Sequence, residues 1–153
     1  MNYTARPVVV VVGNGMVGHR FCAKLKTSGL FRIVLFGEEV HPAYDRVHLS
    51  EFFNGKSAAD LSLPMTGWFE DEEIVLYLGD PVREIDREQK LVHSYKGASI
   101  HYDILVLATG SSAFVPDISG IEKEGVFVYR TIEDLEKIRA YAPRVISGAV
   151  MGG

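Results

Sequence analysis

Residues 8 to 21 read VVVVVGNGMVGHRF, a run of valines broken by glycines at positions 13, 15 and 18. The unbroken β-branched stretch from Pro7 to Val12 predicts a strand covered on both faces, as in a parallel sheet. Beyond the glycines the period changes. Val17, Phe21 and Leu25 recur at four-residue intervals while Lys24 and Lys26 turn away, which predicts a helix with those three residues as its buried stripe and Gly29 as its stop signal. Arg32 to Phe36 (RIVLF) then supplies a second short apolar strand and completes a βαβ unit.

A strand that feeds directly into a helix places the helix's unpaired amides, and the positive end of its dipole, at the edge of the sheet, where an anion is stabilised. In the pattern G-x-G-x-x-G the first glycine permits a tight turn, the second lets a pyrophosphate reach the amides, and the third allows close packing of helix on strand. Gly13, Gly15 and Gly18 occupy these places, so a dinucleotide is the expected ligand; a glycine-rich turn that merely packs tightly is the bland alternative. A carboxylate at the end of the second strand would accept hydrogen bonds from an adenosine ribose, and Glu38 lies there, twenty residues beyond Gly18. Such a carboxylate repels a 2'-phosphate, which favours FAD or NAD over NADP; otherwise Glu38 is a solvated loop acid. For Glu39 the two readings stand level.

The rest of the chain follows an α/β plan. Gly37 to Asn54 reads as a polar loop with a short helical turn around Leu49 to Phe53, and residues 57 to 73 as one or two short helices with Trp68 and Phe69 inward. Ile74 to Leu78 returns as a strand. VREID, KLVHSY and SIHYD, between Val82 and Tyr102, predict a small antiparallel meander. Ile104 to Leu107 resumes the buried parallel type and runs into Ala108, Thr109 and Gly110. Thr131 and Asp134 form a variant capping box for TIEDLEKIRAYA, which ends before Pro143. VISGAVMGG reads as the start of another strand-and-glycine unit. The meander in place of a crossover helix, and this second glycine pair, lean toward FAD.

Several of these segments together resemble the two-dinucleotide flavoprotein reductases and, within them, the large subunits of NAD(P)H-dependent assimilatory nitrite reductases. VVGNGMVGHRF, FGEEVHPAYDRVHLSEFF, YDILVLATGS, VYRTIEDLEKI and GAVMGG carry the likeness over nearly the whole chain. It implies a Rossmann-like FAD-binding domain, with a parallel sheet and a three-stranded antiparallel meander, that is incomplete at its C-terminus. Residues 1–120 would form the N-terminal part of that domain, 121–144 a linker and helix, and 145–153 the start of a truncated NAD(P)H-binding domain. By the same resemblance Gly13, Asn14, Gly15, Met16, Val17 and Gly18 would surround the FAD pyrophosphate and Glu38, with Glu39 beside it, the adenosine ribose. Arg46 would offer its guanidinium to the phosphates, Ser50 would lie near the flavin, the backbone at Val82 near the adenine, and Ala108, Thr109 and Gly110 beside the cofactor. Arg46 also reads as half of a surface ion pair with Asp45 or Glu51, Thr109 and Gly110 as a turn, and Tyr44 as core.

In the complete enzymes NAD(P)H would hand a hydride to the flavin, and iron-sulfur and sirohaem centres would carry electrons to nitrite. Related ferredoxin and rubredoxin reductases often place a lysine after the LS pair. Here that residue is Glu51, so no flavin-tuning base and no catalytic residue is assigned. The remainder of the reductase, or a partner chain bearing the electron acceptor, is the expected protein partner, and a homodimer stays open. A stand-alone ferredoxin or rubredoxin reductase type and a non-catalytic nucleotide-binding remnant are the alternatives.

Composition narrows the field further. Sixteen basic against twenty acidic residues give a net charge of -4 without a basic stripe, which argues against nucleic acid. A single cysteine, Cys22, excludes an internal disulfide and, with histidines at 19, 41, 48, 93 and 101 lacking ligand spacing, no metal site is predicted. The valine run is too short for a membrane span and lacks a signal peptide's flanks, so a cytoplasmic chain is expected. Asn2-Tyr3-Thr4 spells a glycosylation acceptor and carries no meaning without export, and Asp71, Glu72 and Glu73 read as a solvated helix end.

Overall fold

The computed structural model describes residues 6–65, 67–68 and 74–152. The readings made for Asn2-Tyr3-Thr4, Phe69 and Asp71 to Glu73 fall outside them. The chain divides into two compact units, Met1–Asp45 with Ser62–Gly110, and Arg46–Leu61 with Ser111–Gly153.

The first unit is built on β1 (Val8–Val12), α1 (Met16–Lys26), β2 (Arg32–Phe36), β3 (Ile74–Tyr77), β4 (Val82–Asp86), β5 (Leu91–Ser94), β6 (Ser99–His101) and β7 (Ile104–Leu107). The parallel sheet runs β3-β2-β1-β7, and β4-β5-β6 form the expected antiparallel meander. Val10 pairs with Val34 on one side and Leu105 on the other, so β1 is central.

The unbroken valine run follows from having two covered faces. Alternate side chains of a strand point oppositely. Val9 and Val11, with Ile33 and Leu35, therefore pack on Cys22 of α1 and on Trp68. Val10, with Val34 and Phe36, packs the other way, against Val92 and Tyr102 and the partly buried Val82, Ile85 and Ile100 of the meander. Helix, parallel sheet and antiparallel sheet are thus three layers with two cores. Each fully buried valine contributes on the order of 1.5 kcal/mol or more.

The buried stripe of α1 differs from the one that apolar spacing predicts. Val17 is 73% exposed and Phe21 36% exposed, whereas Gly18, His19 and Cys22 are buried. Gly18 sets this phase. Its backbone lies so close to Gly13 that the helix must face the sheet along positions 18 and 22, and residues 17 and 21 are each turned roughly 100° away. Leu25 alone of the predicted stripe joins the core, partly buried.

Pro64, Gly67 and Trp68 lie against this helix. The His19 ring stacks on Trp68, with centroids 4.9 Å apart, and its Nε2 donates to the Pro64 carbonyl at 3.0 Å. Lys26 Nζ donates to the Gly67 carbonyl. Trp68 is inward, as expected.

The second unit holds a 3-10 turn at Leu49–Phe52, α2 (Ala58–Leu61), α3 (Ile132–Tyr141) and a 3-10 turn at Ala142–Arg144. The Thr131 side chain accepts from the Asp134 amide at 3.1 Å while the Asp134 carboxylate accepts from the Thr131 amide at 2.9 Å, which completes the predicted capping box. Ile132 and Leu135 are fully buried, and the Arg139 guanidinium lies 4.4 Å from the centroid of Phe52. Val145 to Gly152 forms no strand, contrary to expectation. Ile146 is 106% exposed there, and an apolar segment without a neighbouring strand has no ladder to join.

Candidate functional site

At the β1–α1 junction two of the three glycines have no room for a side chain and one faces open space. Gly13 adopts φ +112°, and a Cβ on it would lie 2.2 Å from the Ala108 carbonyl oxygen. A Cβ on Gly18 would lie 1.9 Å from the Gly13 carbonyl oxygen. A Cβ on Gly15 would meet nothing within 4 Å. The three positions therefore do different work: Gly13 closes the turn on β7, Gly18 closes the helix on the turn, and Gly15 leaves the helix entrance bare.

That entrance is also electrostatically prepared. Gly15 is the N-cap of α1, so no side chain caps the helix, and its first turn contains no acidic residue. Lys24 and Lys26 occupy the last turn, where cations complement the dipole. Unpaired amides at the start of such a helix are donors suited to an anion.

The sheet's carboxyl edge is drawn level by amides just past the strand ends. Gly13 donates to Phe36, Gly37 to Tyr77 and Ala108 to Val12, each at 2.8 Å. Asn14 sits over this edge, where a Cβ on Gly37 would lie 2.9 Å from the Asn14 Cβ. Both polar atoms of the Asn14 amide are buried with no hydrogen-bond partner among the described residues. An unsatisfied buried polar group costs about 1–3 kcal/mol.

The other predicted residues separate by unit. Met16 and Val17 open α1. Glu38 is exposed immediately after Gly37, and Glu39 accepts a 2.7 Å hydrogen bond from the Tyr44 hydroxyl, so Tyr44 is both buried and a positioning contact. Val82 begins β4 and packs in the core on the meander side. Ala108, Thr109 and Gly110 follow β7, with Ala108 and Thr109 against Gly13. All of these belong to the first unit. Arg46 and Ser50 belong to the second, where Arg46 Nη1 donates to the Arg130 carbonyl at 2.8 Å and Glu51 pairs with Lys56 at 3.9 Å. Gly37 and Asp80 were not singled out by the sequence reading. The signals that point to them are a glycine between strand and acid in FGEE, and the turn-like GDP that begins at Gly79.

Among the described residues no group of three or more His, Cys, Asp or Glu is placed to hold a metal ion, and no helix is long and apolar enough to cross a membrane. Burial pushes the Cys22 thiol up to about 12, which leaves it unreactive as a nucleophile.

Known proteins share this chain's sequence pattern and fold. The chain is 48% identical over 151 residues to the nitrite reductase [NAD(P)H] large subunit of Klebsiella oxytoca, covering 97% of this chain and 16% of that protein. It is 44% identical over 148 residues to the nitrite reductase (NADH) large subunit of Escherichia coli, covering 95% and 18%. A ferredoxin reductase from Rhodopseudomonas palustris superposes with a TM-score of 0.81 at 28% identity, over 91% of this chain and 35% of that one. The chain thus spans under a fifth of the length of these two nitrite reductase relatives. The resemblance read from the sequence names the same group of proteins. The model of the pyridine nucleotide-disulphide oxidoreductases matches residues 7–153, and the chain belongs to that family.

Proposed function

We propose that the first unit binds FAD, and that the chain is the FAD-binding portion of an NAD(P)H-dependent nitrite reductase large subunit. The contrast among the three glycines carries this reading: two cannot hold a side chain, and the one that could is bare where the helix amides are open. The orphaned Asn14 amide fits the same ligand, since phosphate and ribose oxygens accept and hydroxyls donate.

The residues divide the ligand between them. Amides of Gly15, Met16 and Val17, reached through the gap over Gly15, would hold the pyrophosphate, and Glu38 the adenosine ribose. Val82 would border the adenine through its backbone, and Ala108, Thr109 and Gly110 would line the cofactor along the sheet's carboxyl edge. Asn14 would satisfy its amide on the ligand and fix the turn. The cradle is built here from residues of the first unit alone.

A bound flavin supplies hydride acceptance and electron release. The chain's own contribution is binding and orientation. The nicotinamide site, the iron-sulfur and sirohaem centres and the nitrite reaction itself belong, in this proposal, to a complete reductase or a partner chain. The likeness to a ferredoxin reductase structure favours a second reading, in which electrons pass to ferredoxin or rubredoxin.

Titration of the purified chain with FAD tests the proposal, with flavin fluorescence as the readout. Saturable binding, with FAD recovered intact on denaturation, is expected. Failure of the folded chain to take up FAD overturns the proposal and leaves a nucleotide-binding remnant or a purely structural module. Reduction of nitrite against reduction of ferredoxin, measured after joining the chain to its longer context, separates the two electron-transfer readings.

A further inference from the structure

Asp80 is 3% exposed, on the bend between β3 and β4, and its carboxylate accepts from Ser94 Oγ at 2.8 Å and from the Lys96 amide at 2.9 Å. Ser94 Oγ in turn accepts from the Ala98 amide at 3.0 Å, and the Tyr95 amide donates to the Pro81 carbonyl at 3.0 Å. The bend is therefore held to the β5–β6 hairpin by the buried Asp80 side chain and by the Tyr95–Pro81 backbone bond. A buried carboxylate is costly to desolvate, and these two bonds offset part of that cost.

The backbone of the same bend reaches the other way. The Asp80 amide donates to the Gly37 carbonyl at 3.0 Å, and the Gly79 amide donates to the Glu39 carbonyl at 2.9 Å. Glu38 is thus bracketed, since the carbonyl of the residue on either side of it is held by consecutive amides of one bend. Val82, two residues further along, pairs with Ser94 in the meander. Asp80 therefore links the acid expected on the ribose to the strand expected beside the adenine.

We infer that Asp80 is a positioning residue for the adenosine half of the ligand, acting through Glu38. The inference rests on the reading of this unit as an FAD site. Without the Asp80 side chain the bend loses two of its bonds to the hairpin, and the loop bearing Glu38 samples geometries in which its carboxylate no longer meets the ribose hydroxyls.

A double-mutant cycle on the full chain, read by FAD titration well below the melting temperature, tests this. Asp80→Ala is expected to weaken FAD binding roughly tenfold. Ser94→Ala, which removes one of the two bonds, is expected to weaken it less. In a Glu38→Ala background neither substitution is expected to weaken binding further, because the acceptor they position is already removed. The inference is overturned if Asp80→Ala lowers the melting temperature while leaving FAD affinity intact, or if the losses multiply independently in the two backgrounds. If Asp80→Ala does not fold, the Ser94→Ala cycle decides by the same criteria. Wild-type chain that binds no FAD removes the underlying reading and this inference with it, whereas normal wild-type binding with an unaffected Asp80→Ala variant removes this inference alone.

Discussion

A methyl group on Gly18 would sit 1.9 Å from the carbonyl oxygen of Gly13, so the first helix meets the end of the first strand through bare backbone. Neither partner can give way, because the Gly13 turn is itself pressed on Ala108. Gly18→Ala should therefore act on the fold, with a loss of about 1–3 kcal/mol of stability from overpacking. Urea denaturation measures it. A variant as stable as the wild type would mean that α1 can lift from β1.

The contacts of His19 with Pro64 and Trp68 make the first unit sensitive to acid. Burial holds the His19 pKa below its ordinary value of 6.5, and Arg20 lowers it further against the opposing Pro64 hydrogen bond. The unfolded chain then binds the proton more readily than the folded one. Stability contributed by neutral His19 is complete above 6.5 and is lost as pH falls from 6.5 toward the lowered folded value. His19→Gln keeps a donor for Pro64 and cannot titrate. Its stability should change less than the wild type's between about pH 7.5 and about pH 5.5. Equal changes in the two proteins, by thermal melting, would remove His19 from the acid response.

Cys22 lies wholly inside the core on the helix side of the sheet, with its thiol pushed up to about 12. A thiol reagent at neutral pH should label it only as fast as the unit opens, and denaturant should release full labelling at once. Rapid stoichiometric labelling of the native chain would contradict this packing.

In the second unit, the reciprocal bonds of Thr131 and Asp134 cap α3. Thr131→Ala should cost about 1 kcal/mol and reduce amide-exchange protection in the first turn of that helix. Unchanged protection would mean that packing of Ile132 and Leu135, not the cap, fixes the helix start.

Much of this architecture was legible because it follows from local rules. The valines alternate between two cores, so their run needed no polar face, and the glycine spacing assigned the tight turn to Gly13 and the close packing to Gly18, which the bare-backbone contacts reproduce. The face of α1 was not legible from hydrophobic period. Val17 and Phe21 spell a stripe, but the close approach at Gly18 outweighs it and turns Cys22 inward. Val145 to Gly152 illustrates a second limit, since an apolar run becomes a strand only beside a partner. Asp80 illustrates a third: its contacts at Ser94 and Lys96 come from a hairpin whose folding back onto the bend no local pattern in GDP announces.

The most direct test concerns Gly15, whose Cβ would meet nothing within 4 Å and whose backbone, at φ -86°, suits any residue. Gly15→Leu should leave the chain folded with unchanged circular dichroism, less stable by about 1 kcal/mol because leucine is a poorer N-cap than glycine. FAD affinity measured by titration should fall by about a hundredfold or more, because a side chain blocks the phosphates from the helix amides. Wild-type FAD affinity in a well-folded Gly15→Leu chain would contradict the account at its centre.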